Sequence, residues 1–61
     1  MNRQKEIRRM FAKYGFTPCP LSSLEIIVCI RRGLSDEDIF SVGCDVFSGF
    51  SFRESLEACE L

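Results

Sequence analysis

The feature that most constrains this chain is a short pattern that occurs three times. Leu21-Ser22-Ser23-Leu24-Glu25, Leu34-Ser35-Asp36-Glu37-Asp38 and Phe50-Ser51-Phe52-Arg53-Glu54 each place an apolar residue before a serine and an acid three positions after it. That order is what a helix N-terminus needs. The serine side chain accepts a bond from a free backbone N–H, the acid reaches back to the serine N–H, and the apolar residue staples against the first buried turn. The staple partner is Ile26 in the first copy and Ile39 in the second; in the third the same place holds Ser55, so that staple is incomplete. The copies begin 13 and 16 residues apart. Solenoid units run to 20 to 50 residues, so the pattern reads as repeated capping and not as a repeat array.

Stop signals sit where these starts require them. Gly33 follows Arg31-Arg32 and Gly49 follows Phe47-Ser48, each in the place of the glycine that ends a helix in the left-handed conformation. Ahead of the three copies, Ile7, Met10, Phe11 and Tyr14 recur at the i, i+3, i+4, i+7 spacing of one helical stripe, and Gly15 closes that segment. Thr17-Pro18-Cys19-Pro20 is a connector, because its prolines lack donors and keep their predecessors out of helical geometry. The expectation is an all-α chain forming one compact domain over residues 1–61, with helices at about 2–14, 23–32, 36–48 and 52–60. The second helix, apolar from Leu24 to Ile30 apart from Glu25, is expected at the centre. Gly43 is costly within the third helix unless another backbone approaches it closely; the alternative is a break there into two short helices.

Composition narrows the function classes. The longest apolar run, Ile26 to Ile30, is far short of the ~20 residues that span a bilayer, and the charged first 13 residues carry no secretory pattern, so a cytoplasmic location is expected. In that setting Cys19, Cys29, Cys44 and Cys59 are expected as free thiols. Their wide spacing and the absence of histidine argue against a zinc site. Without histidine the common nucleophile and base pairings are missing as well, and no glycine-rich phosphate loop is present. No catalytic residue, cofactor or metal is therefore expected. Asp36-Glu37-Asp38 reads as first-turn acids that complement a helix dipole.

Charge is unevenly placed. Residues 1 to 13 hold five basic side chains against Glu6, a balance of +4, and the rest of the chain balances at −5. Lys5, Arg8, Arg9 and Lys13 lie opposite the Ile7 stripe, as either a solvated helix face or a phosphate-binding one. Gly33-Leu34-Ser35-Asp36-Glu37-Asp38-Ile39 resembles the turn and following helix of helix-turn-helix regulators over about a dozen residues. The resemblance implies a recognition helix in a DNA groove. Yet the helix after Ser35 begins with three acids and the one after Ser51 carries Glu54, Glu57 and Glu60, so DNA contacts would fall to the first helix.

Six phenylalanines and 46% apolar residues are more than so small a core can bury. The leading expectation is a non-enzymatic interaction module, a small regulator or inhibitor that docks on another protein and forms a homodimer. Phe16, Phe40, Phe47, Phe50 and Phe52 are the candidate anchors, since aromatic side chains dominate interfaces. By its size such a chain fits the accessory factors of bacteria or their phages. The alternative is a small DNA-binding regulator using Lys5, Arg8, Arg9, Lys13, Arg31 and Arg32.

Overall fold

The computed structural model describes residues 2–60. Four helices follow one another, α1 Arg3–Lys13, α2 Ser23–Arg31, α3 Asp36–Phe47 and α4 Phe52–Glu60, in a globule of 10.4 Å Cα radius of gyration. Among the described residues, no helix is long and apolar enough to cross a membrane.

The repeated serines cap three of the helices. Ser22 accepts from the Glu25 N–H at 3.2 Å while the Glu25 carboxylate accepts from the Ser22 N–H at 2.9 Å, a complete capping box. Ser51 and Glu54 form the same reciprocal pair, at 3.1 and 3.4 Å. Ser35 accepts from the Asp38 N–H at 3.2 Å. Such a cap is worth ~1 kcal/mol. In α1 the cap is Asn2, whose side chain accepts from Gln4.

The other ends share one geometry. Gly15, Gly33 and Gly49 all adopt positive φ, at 91°, 78° and 110°. At each, the glycine N–H and the following N–H fold back on carbonyls of the last turn: Phe16 on Phe11 at 2.9 Å, Leu34 on Cys29 at 3.2 Å, Phe50 on Asp45 at 3.0 Å. This double return is the Schellman motif, which favours an apolar contact between the two residues that its longer bond joins. Between α1 and α2 the chain passes through Pro18 and Pro20, with a cis Thr17–Pro18 bond.

The core comprises Ile7, Phe11, Leu21, Ile26, Cys29, Leu34, Ile39, Val42 and Leu56. Its centre is α3, not α2. Helix α3 packs against both α1 and α4, whereas α2 buries Ile26 and Cys29, leaves Ile27, Val28 and Ile30 half-buried, and exposes Leu24 to 74%. An all-round apolar sequence has no single inward stripe; neighbours decide which side is covered, and here they cover one side only.

Helix α3 runs unbroken through Gly43, and what approaches the glycine is a side chain. The Phe11 ring lies where a Cβ would stand, with Pro20 Cγ 3.4 Å from the same point. Gly43 thus forms a seat that lets α1 lay its largest buried residue directly on the α3 backbone.

Candidate functional site

The surface is marked by aromatic rings that the core does not enclose. Phe11, fully buried, stacks on Phe40 at 5.2 Å and meets the edge of Phe16 at 6.0 Å. From there Phe40 contacts Tyr14 at 5.0 Å and Phe16 at 5.8 Å, and Phe16 contacts Phe47 at 5.1 Å. The result is a continuous ladder from the core outward, ending in Tyr14 at 62% exposure and Phe47 at 69%. Edge and offset contacts of this kind hold rings in fixed orientation, which lowers the entropy lost when they are covered. Met10, Tyr14, Glu37 and Phe40 line a shallow groove at one end of the ladder.

The predicted anchors do not form one patch. Phe40 and Phe47 belong to the ladder, Phe40 half-buried and Phe47 exposed, and Phe16 joins them. Phe50 is 59% exposed in a separate cleft between α3 and α4, beside Asp45, Glu54, Ser55 and Ala58. Phe52 is half-buried against the core and borders a third depression with Val28, Arg32 and Leu56. Two exposed residues lay outside the sequence-based anchor set. Tyr14 fits the inward stripe of α1 by spacing, but it is the cap residue, where the helix ends and the stripe no longer dictates direction. Leu24 gave no signal, being one apolar residue within an apolar run.

The basic residues divide in two. Arg3 pairs with Asp36 at 2.6 Å, Arg32 pairs with Glu60 at 2.7 Å, and Arg8 donates to Ser23 Oγ at 2.6 Å, so these guanidiniums tie elements together. Lys5, Arg9 and Lys13 remain exposed along one ridge of α1, without an ion pair among the described residues, and Arg31 is exposed on α2. Lys13 Nζ lies 6.0 Å from the Tyr14 ring centre, at the outer limit of a cation–π contact. The N-terminus of α3, the groove-reading end in a helix-turn-helix, presents three acids, of which Asp36 is held by Arg3.

The chemistry open to the thiols is restricted. Burial pushes the Cys29 thiol up to about 11, with smaller contributions from Cys59 and the Glu25 carboxylate, against the lowering effect of Arg32. Cys59 is raised by burial first, then by Asp38, Asp45 and Glu60. Both therefore stay protonated near neutral pH, the unreactive form of cysteine. No group of three or more metal-ligating side chains is gathered among the described residues. Compared with known proteins, the chain matches no family model, no curated protein and no solved structure.

Proposed function

We propose that this chain is a small non-enzymatic interaction module, a regulator or inhibitor that works by docking its aromatic surface on another protein, and that it also associates with itself. The observation that carries the reading is the ladder ending in Phe47 and Tyr14. A chain with so small a core leaves both end rings of the ladder mostly in solvent and supports them from behind with Phe16, Phe40 and Phe11. Rigidly backed, exposed aromatics are the usual anchors of interfaces.

The test is a capture comparison between the wild-type chain and a Phe47→Ser, Tyr14→Ser variant whose helix content is checked by circular dichroism. A protein retained by the first and lost by the second supports the reading. Equal retention by both overturns it. The second reading, a DNA-binding regulator, is favoured by one observation, the exposed ridge of Lys5, Arg9 and Lys13, which has no ion pair among the described residues. It requires anisotropy of labelled duplex DNA to show binding that falls steeply with salt and is lost on neutralising that ridge.

A further inference from the structure

The helices that flank α3 carry opposite charge on their outer faces. Helix α1 lies on the side of α3 marked by Asp36, Phe40 and Gly43, through the Arg3–Asp36 pair, the Phe11–Phe40 stack and the glycine seat. Helix α4 lies on the side of Asp38 and Asp45, with Cys59 Sγ directed at the Asp38 carbonyl oxygen at 3.7 Å and Asp45 sharing a cleft with Ser55 and Ala58. Gly43 and Asp45, two residues apart, are separated by roughly 200° around a helix, so α1 and α4 sit on nearly opposite flanks.

The outer face of α1 presents Lys5, Arg9 and Lys13, one helical turn apart, with exposed Ala12 beside them. That of α4 presents Glu54, Glu57 and Glu60 around exposed Ala58, and together they line a shallow depression. Asp38 and Asp45 lie close enough to this flank to act on the Cys59 thiol. The two ridges are of similar length, about 12 Å from Lys5 to Lys13 and about 9 Å from Glu54 to Glu60 at the helical rise. Each has an alanine where two helices would need to approach closely. Arg53 on α4 and Glu6 on α1 are the opposing charges, one on each helix; Arg32 holds part of the Glu60 charge, and Ser51 donates to one oxygen of Glu54.

We infer that the occupant of the acidic α4 face is a second copy of this chain, seated through its Lys5–Arg9–Lys13 ridge. The faces point away from each other within one molecule, so the contact forms only between molecules. It joins two different patches and does not close on itself at two copies, giving head-to-tail association that continues beyond a dimer. This inference rests on the self-association proposed above and assigns it to charged ridges, leaving Phe47, at the end of the ladder away from Lys13 and Tyr14, free for the other partner. Exposed ion pairs are individually weak, so the association is concentration-dependent and sensitive to salt.

Sedimentation equilibrium of the reduced full chain tests it, between about 0.01 M and about 1 M salt, where the screening length shrinks from about 30 Å to about 3 Å. The expected result is an average mass above the 7.0 kDa monomer at low salt that climbs with protein concentration, and a return to monomer at high salt. A Lys5→Glu, Arg9→Glu, Lys13→Glu variant and a Glu54→Lys, Glu57→Lys variant should each be monomeric alone and should associate when mixed. These side chains are exposed, but Glu54 also closes the capping box with Ser51, so the milder pair Arg9→Glu and Glu57→Lys, which leaves that box intact, repeats the test if either set loses helix content. A monomer under every condition overturns self-association while leaving partner docking through Phe47 standing. Self-association that survives both reversals but is lost in Phe47→Ser overturns the assignment to the charged ridges.

Discussion

The two turns that flank α3 are written alike and end differently. Gly33-Leu34-Ser35 and Gly49-Phe50-Ser51 each close one helix with a left-handed glycine and open the next with a capping serine, so the residue between them serves both motifs. In the first turn Leu34 meets Cys29 behind it and Ile39 ahead, both fully buried, and is itself 8% exposed. In the second, the same two places hold Asp45 and Ser55. Ser55 is buried, but its hydroxyl bonds to the Ser51 carbonyl oxygen at 3.0 Å and offers no apolar face. Phe50 is therefore left 59% exposed. Backbone grammar fixes where a chain turns; the two flanking side chains decide whether the turn residue enters the core.

Replacing Leu34 by alanine should have the largest effect, a loss of about 2–4 kcal/mol in urea unfolding, because it empties a site shared by two motifs. The matching Phe50→Ala change should stay within about 0.5 kcal/mol, as expected for an exposed position. Equal losses would break the comparison. Gly33→Ala and Gly49→Ala come next and should be alike, about 1–2 kcal/mol each, since both glycines hold positive φ with open space around them and only the backbone strain counts. A large difference between them would show that the turns differ in backbone as well as side chain.

The pH dependence sharpens the contrast further. Cys29, the inner partner of Leu34, titrates near 11 when folded and closer to its ordinary value when unfolded. Its contribution is present below the unfolded value and is lost as pH rises toward the folded one. The melting temperature should therefore fall between about pH 9 and 11, and a Cys29→Ala variant, though less stable throughout, should lack that part of the fall. The smallest effect belongs to Asp45→Leu, which gives Phe50 an apolar partner. It should gain a few tenths of a kcal/mol at most and make amide protection at Phe50 resemble that at Leu34.

How much of this was readable beforehand follows from the same distinction. Serines and glycines act on the backbone within a few residues, and the helices run as expected to within one residue at each end. The incomplete third staple was visible too, as Ser55 in the place of Ile26 and Ile39. What stayed hidden depends on residues distant in sequence. The seat for Phe11 at Gly43 spans 32 positions, and Arg8 is occupied by Ser23, 15 residues on. For the candidate surface, an excess of aromatic residues was legible. Which rings reach solvent was not, because Phe40 is covered by Phe11 and Phe16, whereas Phe47 at the end of the ladder has nothing beyond it.

The double duty of Leu34 also has a consequence in time. When the last turn of α2 opens, Leu34 loses its bond to Cys29 and its place beside Ile39 together, so α2 and α3 should exchange their amide hydrogens as one cooperative unit. No buried side chain at Phe50 couples α3 to α4 in that way. Helices α3 and α4 are held instead by their own packing, the most extensive between any two helices, with Leu56 buried in it, so Phe50 lies outside that packing and is free to reorient without either helix opening.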